Sequence, residues 1–301
     1  MSAPRYCSVC DAGPAQSRLF LAENIDVAKL SGFSFASRKE PEFMCHRLVS
    51  CTVCGLVYAD QPPEEGRLAA AYHQAEYDSA VEAEDAARSY VQAISPVLAA
   101  LPRRESALEI GAGTGVFLES LQGDGFSQLV GVEPSTAAIA AAPPQRRAWL
   151  REGMFNESDF APGSFDLICC FMTMEHVRDP AAVAGAAFRL LRAGGAFVIV
   201  THDYRSAINR LMGKKSPIID IEHLQLFSTD SVQRLLSGCG FERISIRAFV
   251  NRYVLRYWTR LLPLPSSAKS ALTSLFSALG LADCKVGLNV GNQISAGFKP
   301  R

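Results

Sequence analysis

The sequence has little that would place the protein in a membrane, outside the cell or on nucleic acid. No apolar run approaches the roughly 18–20 residues that a membrane-spanning helix requires. Pro4, Arg5, Asp11 and Pro14 interrupt the N-terminal stretch, which therefore lacks the apolar segment of a signal peptide. The 30 basic and 30 acidic side chains leave no net charge, so a broad basic surface for nucleic acid is not expected. These absences predict a soluble, cytoplasmic protein.

Internal repeats and low-complexity tracts are also missing. Of the 301 residues, 49% are hydrophobic and 20% are charged, which is the balance of an ordinary globular protein. The length fits one large domain, or a medium domain with a small module. The unusual feature is the set of 9 cysteines. Without a signal peptide they point to metal or thiol chemistry rather than to a disulfide framework.

The chain divides into three predicted regions. Residues 1–60 carry most of the cysteines, residues 61–102 are Ala-rich with a helical pattern, and residues 103–301 alternate short apolar runs with amphipathic segments. Such alternation is typical of βαβ units and a parallel sheet, so we expect an α/β fold. Strands are predicted at 107–110, 129–133, 147–151, 166–171, 196–201, 242–249 and 292–299, and helices near 115–123, 135–141, 180–192 and 228–238.

A glycine-rich turn follows the first predicted strand of the sheet, in the segment LEIGAGTGVF at residues 108–117. Glycines at alternate positions let a backbone turn tightly and approach a ligand, and open α/β sheets bind nucleotides at this place. Glu133 ends the next strand, where a carboxylate holds ribose hydroxyls in such folds. A turn without ligand and a merely solvated acid are the alternatives. The pair alone does not separate NAD from S-adenosylmethionine, although Val116 after Gly115 departs from the dinucleotide spacing.

From about Ser106 to Gly240 the chain resembles the class I S-adenosylmethionine-dependent methyltransferases. The resemblance is carried by LEIGAGTGVF, GVEPS, APGSFDLICCFMTMEHVRDP, LLRAGGAFVIVTHD and EHLQLFS, which fall in the family's order. It implies a Rossmann-like seven-stranded sheet that binds S-adenosylmethionine, with Glu109 near the methionine amino group and the adenine beside Met154 and Phe155. The cofactor residues implied in this way are Glu109, Gly111, Ala112, Gly113, Gly115, Glu133, Pro134, Met154, Phe155 and Phe171.

Two CxxC pairs, Cys7 with Cys10 and Cys51 with Cys54, predict a tetrahedral four-thiolate zinc site. Such a site is closed and therefore structural, and we expect it to support a small module with a core separate from that of the large sheet. Gly13 and Gly55 follow the pairs, as metal-binding turns prefer. The 40 intervening residues require an inserted loop or sheet. Buried free thiols, a redox dithiol, and substitution of one ligand by Cys45 or His46 are the alternatives.

The combination of a cysteine module with this sheet resembles bacterial methyltransferases of sugar and secondary metabolism. Some of these are deoxysugar C-methyltransferases, which carry a further C-terminal domain that this chain is too short to hold. The resemblance implies that His223 is the catalytic base and that Glu222 orients it or binds substrate hydroxyls. The alternative is that His223 only packs before the following helix, with Ser228 as its N-cap. Tyr77 matches the active-site tyrosine of those enzymes, with Tyr72 as the alternative.

His176 is the second candidate for catalysis. Glu175-His176 follows the fourth predicted strand, beside the expected methyl group, and a structural role there is equally open. The same dipeptide resembles the ubiquinone-type O-methyltransferases, some of which involve a divalent metal. We do not expect a metal here, because the sequence shows only one carboxylate nearby.

Residues 251–287 form a predicted helical insertion between the last two strands. Arg252, Arg256 and Arg260 recur every four residues, which predicts a helix with one basic face, and a second apolar helix follows near 267–279. A lid over the substrate, a dimer contact and a helix lying on a membrane surface are the open roles, so monomer and homodimer both remain open.

The predicted function is methyl transfer to a small polar metabolite, such as a nucleotide-linked sugar or a secondary-metabolite intermediate. An RNA methyltransferase with a zinc recognition module is one alternative, although residues 1–60 carry no excess of basic side chains. A non-catalytic methyltransferase-like scaffold is the other. The acceptor and the choice between carbon, oxygen and nitrogen are left open by the sequence.

Overall fold

The computed structural model describes residues 4–37 and 41–301. In these residues two sheets are surrounded by helices. The strands are β1 (Ser17–Leu21), β2 (Leu48–Cys51), β3 (Val57–Ala59), β4 (Ser106–Ile110), β5 (Gln128–Glu133), β6 (Leu150–Glu152), β7 (Phe165–Phe171), β8 (Leu191–His202), β9 (Gln225–Leu226), β10 (Glu242–Val254) and β11 (Lys285–Phe298). The α-helices are α1 (Glu65–His73), α2 (Ala80–Ala100), α3 (Val116–Gly123), α4 (Thr136–Ala141), α5 (Pro144–Arg147), α6 (Pro180–Leu190), α7 (Ala207–Met212), α8 (Thr229–Gly238), α9 (Leu255–Leu261) and α10 (Ser266–Ala278).

The large sheet has seven strands in the order β10-β11-β8-β7-β4-β5-β6. Its central pairs are parallel, whereas β11 runs antiparallel to both neighbours. All seven residues of β7, with the sequence FDLICCF, are buried, as expected for a strand covered by helices on both faces. The predicted α/β fold with a Rossmann-like seven-stranded sheet is confirmed. None of the helices within the described ranges has the length and apolar character needed to cross a bilayer.

The helical insertion between the last two strands is present, but its first helix begins later than predicted. β10 continues to Val254 and β11 begins at Lys285, so Arg252 lies in a strand opposite Gly287. From Phe249 to Tyr253 buried and exposed side chains alternate, which is the period of a strand and not of a helix. The three arginines therefore do not share one helix face.

The small sheet has the order β1-β2-β3-β9, and its last strand comes from the middle of the chain. Val57 pairs with Leu226 and Tyr58 with Gln225 in antiparallel register. Beneath this pairing, Cys51 and Tyr58 pack in one apolar cluster together with strand residues of the large sheet. The expectation of separate cores is therefore wrong, because β9 ties residues 1–60 to the large sheet. The division at residues 60 and 102 stays a prediction.

Candidate active site

A cavity of about 500 Å³ opens at the carboxyl ends of β4, β5, β7 and β8. Parallel strands bring their ends to one edge of a sheet, which is where open α/β sheets bind ligands. All but one of the predicted cofactor residues line this cavity: Glu109, Gly111, Ala112, Gly113, Glu133, Pro134, Met154, Phe155 and Phe171. The exception is Gly115, which instead forms the N-cap of α3.

The glycine turn after β4 depends on glycine at two of its positions for different reasons. Gly111 has φ +77°, and a Cβ there would collide with the side chain of Thr173. Gly113 has φ +53°, and a Cβ there would meet no atom within 4 Å, so its bare backbone faces open space. Both angles lie in the left-handed region that favours glycine. At Gly113 the turn therefore presents bare main chain to whatever occupies the cavity.

Glu133 is fixed at the end of β5 by two backbone donors. One carboxylate oxygen accepts a hydrogen bond from the Gly113 amide at 2.7 Å, and the other accepts from the Ser135 amide at 2.8 Å. Burial raises the pKa of this carboxyl, and the two amides oppose that rise. Each oxygen retains a lone pair that can accept from a ligand hydroxyl. The carboxylate is thus held ready to accept from two neighbouring hydroxyls.

Three histidines meet in the lining of the same cavity. The His223 ring lies between His176 and His202, with ring centres 5.0 Å and 5.4 Å away. His176 Nδ1 lies 3.5 Å from a carboxylate oxygen of Glu222. His176, Glu222 and His223 each offer a ligand atom, all within 4.8 Å of one another. The structure thus brings together three of the four residues predicted for catalysis.

The turn before β9 sets the orientation of His223. The Asp220 side chain accepts from the Glu222 amide at 3.3 Å, and the Asp220 carbonyl accepts from the His223 amide at 3.1 Å. His223 Nδ1 lies 2.8 Å from the carbonyl oxygen of Ile218. Because a carbonyl can only accept, Nδ1 carries the proton and the neutral ring keeps its lone pair on Nε2. Burial, and then the charge of His202, lower the pKa of His223, which favours that neutral form.

Glu175 forms hydrogen bonds that hold the histidine segments together. Its side chain is fully buried, and its carboxylate accepts from the His202 amide at 2.7 Å and lies 3.2 Å from His202 Nδ1. Its carbonyl accepts from the amides of Leu224 and Gln225, at 2.8 Å and 3.2 Å. Glu175 therefore joins the end of β7 to His202 and to the His223 segment.

Both candidate tyrosines line the cavity. Tyr72, on α1, stacks on His176 with ring centres 6.0 Å apart, and Phe35 packs edge-on against Tyr72. The Tyr72 hydroxyl is buried without a hydrogen-bond partner among the described residues, and its pKa is raised well above its ordinary value by burial and by Glu222. Tyr77 lies in the segment between α1 and α2. The geometry thus associates Tyr72 directly with the histidines.

Sequence reasoning missed two further polar residues of the cavity. Asn251 on β10 and Asn292 on β11 are buried and line it, and in both the Oδ1 atom has no hydrogen-bond partner among the described residues. Asparagine is uncommon in strand interiors, so two such residues near the ends of the last strands are the one sign that could have indicated them. They offer acceptors for a ligand hydroxyl or amine.

The four predicted metal-binding cysteines form a compact cluster. The Sγ atoms of Cys7 and Cys54 lie 3.5 Å apart, and those of Cys10 and Cys51 lie 3.6 Å apart. A zinc ion with Zn–S bonds of about 2.3 Å would require edges of roughly 3.8 Å, so the spacing fits a tetrahedral site. Cys45 lies outside this group, and its thiol contacts the carbonyl of Ala22.

The two turns that carry these cysteines have the same backbone hydrogen bonds. The Cys7 amide donates to the Ala12 carbonyl and the Asp11 amide to the Cys7 carbonyl, and Cys51 stands in the same relation to Leu56 and Gly55. The fifth residue of each turn has a positive φ, 57° at Asp11 and 73° at Gly55. Gly13 has φ −70°, so the glycine suggested by the sequence for the first turn is not the one that needs that conformation.

Residues 82–246 match a family model described as a methyltransferase domain. The curated relatives include a ubiquinone biosynthesis O-methyltransferase of Thiobacillus denitrificans, 34% identical over 29% of this chain and 40% of the relative. A protein of the same name from Psychrobacter cryohalolentis is 32% identical over 39% of this chain and 49% of its own length. The chain thus spans less than half the length of these two relatives.

Two solved structures illustrate the likeness in three dimensions. A SAM-dependent methyltransferase of Thermotoga maritima, described as a possible histamine N-methyltransferase, is 23% identical, with 73% of this chain and 92% of that chain covered at a TM-score of 0.49. A Haemonchus contortus phosphoethanolamine N-methyltransferase bound to S-adenosyl-L-methionine is 17% identical, with 72% and 57% covered at a TM-score of 0.42.

Proposed function

The chain belongs to the methyltransferase-domain family, and from that premise we propose that it transfers the methyl group of S-adenosylmethionine to a small metabolite. The reacting group of the acceptor is polar, as in a nucleotide-linked sugar or a secondary-metabolite intermediate, and His223 removes its proton. The observation that supports this most is the neutral His223 ring in the cavity that also contains the glycine turn and Glu133.

The residues of the first two strands of the parallel sheet are suited to hold the methyl donor. Glu133 would accept from the ribose hydroxyls, and Gly113 would let the ligand approach the main chain. Glu109, buried at the end of β4, would pair with the methionine amino group, and Met154 and Phe155 would flank the adenine. When bound, S-adenosylmethionine supplies an electrophilic methyl group on a sulfonium. The protein's own task is then to position the acceptor and to take up its proton.

His223 can perform that second task. His223 Nε2 would take up the proton that the acceptor loses, while Nδ1 keeps its hydrogen bond to Ile218. The positive ring that results is favoured by the charges of Asp220 and Glu175. Asn251, Asn292 and the Tyr72 hydroxyl would bind other polar atoms of the acceptor. The Glu222 carboxylate would orient the His176 ring.

A divalent metal held by His176, Glu222 and His223 is the competing arrangement. The sequence indicated one nearby carboxylate, whereas the structure places Glu222 beside His176 as well. Two imidazoles and a carboxylate suit several transition metals. In that case His223 Nε2 would be a ligand and could not accept a proton. Elemental analysis distinguishes the two hypotheses. One metal ion per chain, held by the cysteines, supports His223 as a base, whereas two metal ions per chain support a metal at the histidines.

We expect Glu133→Ala to weaken S-adenosylmethionine binding at least tenfold. The change removes two hydrogen bonds to a charged group, each worth about 1.5–3 kcal/mol. Isothermal titration calorimetry measures the loss. Glu133→Gln removes the charge at nearly the same size and keeps one acceptor oxygen, whereas its amide nitrogen can only donate. Glu152→Ala is the matched control, because Glu152 pairs with Glu133 in the sheet register but does not line the cavity. Unchanged affinity of both Glu133 variants would contradict the cofactor site.

The pH dependence of turnover should report the lowered pKa of His223. A general base must be neutral, so the rate falls as the pH drops through the pKa of the base. Because burial and His202 lower that pKa, we expect the acid limb of kcat to lie below pH 6.5, the ordinary value of histidine. In His202→Gln the limb should move to higher pH. A wild-type limb above 6.5 would argue against His223 as the base.

A further inference from the structure

The rim of the cavity is apolar and exposed where α7 and the helical insertion meet. Ile208, Leu262 and Leu288 line the cavity, and between 37% and 41% of each side chain is accessible to solvent. Leu211 follows one turn after Ile208 on α7 and is 85% exposed. Leu264, Leu275 and Leu279 of the insertion are also exposed apolar residues, between 40% and 60% accessible. We call these seven residues the rim face.

The chain segments that carry the rim face are basic, although the whole protein has no net charge. Residues 204–219 and 250–282 contain eight lysines and arginines and no acidic residue. Arg205, Arg256 and Arg260 pair with acids from elsewhere in the chain. Lys269 donates to the carbonyl of Arg260. The remaining basic side chains, for which the described residues provide no acidic partner, are Arg210, Lys214, Lys215 and Arg252. An apolar surface with uncompensated positive charge is complementary to an anionic bilayer surface.

The lining of the cavity likewise combines apolar and polar side chains. Tyr257, Trp258 and Leu261, which belong to the insertion, line the cavity, and so do the polar residues His223 and Asn292. A molecule that contacts both groups of residues has one polar part and one apolar part.

We propose that the rim face docks on the surface of a bilayer rich in anionic phospholipid, and that the acceptor is an amphipathic molecule whose apolar part resides there. Its polar part would reach the histidines through the opening beside Ile208 and Leu262. The nature of the acceptor rests on the proposed function, whereas docking itself does not, and binding to vesicles can be measured without turnover.

The experiment is co-sedimentation of the full chain with vesicles of phosphatidylcholine alone or mixed equally with phosphatidylglycerol. We expect binding to the mixed vesicles at low salt, loss of binding as salt increases, and little binding to phosphatidylcholine. Leu211→Asp and the double change Lys214→Glu, Lys215→Glu should each reduce partitioning about tenfold. Neither change touches the lining of the cavity, so affinity for S-adenosylmethionine should stay at the wild-type value and report an intact fold.

Leu19→Asp is the matched control, because Leu19 is 60% exposed on β1 of the small sheet. It should bind vesicles as the wild type does. Absence of binding to mixed vesicles, or equal binding by Leu211→Asp and the wild type, would overturn the proposal. So would sedimentation showing that Leu211→Asp converts a dimer into a monomer without vesicles, since the rim face would then join two copies of the chain. If vesicles bind but Glu133→Ala leaves cofactor affinity unchanged, the proposed function fails and the docking surface stands.

Discussion

Replacing His223 with alanine should lower turnover by about 100- to 10,000-fold, the usual contribution of a general base. Affinity for S-adenosylmethionine should change little, because Glu133 is held by the amides of Gly113 and Ser135 and not by His223. The expectation follows from the ring's position, since its Nδ1 proton is fixed on Ile218 and the Nε2 lone pair is left for the acceptor. Single-turnover kinetics with saturating cofactor would measure the chemical step directly.

His176→Ala is the companion variant. His176 follows β7, nearer to the glycine turn, where Thr173 packs against Gly111, so its loss should disturb cofactor binding as well as turnover. Full turnover in His223→Ala with loss in His176→Ala would reverse the two roles. The resemblance to sugar C-methyltransferases at Glu222-His223 would then have been misleading.

The second large effect is expected from Cys51→Ser. It should remove the single zinc ion that we propose for the four cysteines and lower the melting temperature, because binding of structural zinc supplies folding free energy, about 10–16 kcal/mol in small zinc peptides. It should also lower turnover. β3 begins soon after the second cysteine pair, and the Ala59 amide donates to the Leu224 carbonyl, next to His223, at 2.8 Å. Loss of the metal should therefore loosen β3 and, with it, the segment that positions His223.

Cys45→Ser provides the control, since Cys45 is buried in the same region but lies outside the sulfur cluster. It should keep the metal and the activity. Freshly purified, reduced wild-type protein without zinc would count decisively against the site. Loss of zinc with unchanged turnover would show instead that the pairing of β3 with β9 survives without the metal.

Local patterns were sufficient to predict the parallel sheet and the glycine turn. The glycine turn can be predicted because its signals are local. A buried strand, alternate glycines and a second strand that ends in a carboxylate all lie within 26 residues, from Leu108 to Glu133. The helix predicted from Arg252 was wrong because three arginines at helical spacing also fit a strand followed by a helix. Buried Asn251 and Tyr253 alternate with exposed Arg252, which is the period of a strand. Pairing with β11 favours this strand over a helix.

The pairing of β3 with β9 could not have been predicted. A two-residue strand has no period of its own, and its partner lies far away in the sequence. The same holds for the meeting of His176, His202 and His223, which come from three separate segments. The sequence placed His176 after the fourth strand and made His223 the candidate base, but the distances among the three rings depend on the Asp220 turn and on Glu175.

The shared small sheet restricts how such a protein can be recombined. Domain exchange usually assumes that a cysteine-rich module can be replaced by that of a related protein without consequence for the catalytic half. Here the edge of β3 forms hydrogen bonds with residues 224–226, directly beside His223. A chimera would need a donor module whose third strand offers the same hydrogen-bonding edge, so the junction to design is the strand pair and not the linker around residue 60.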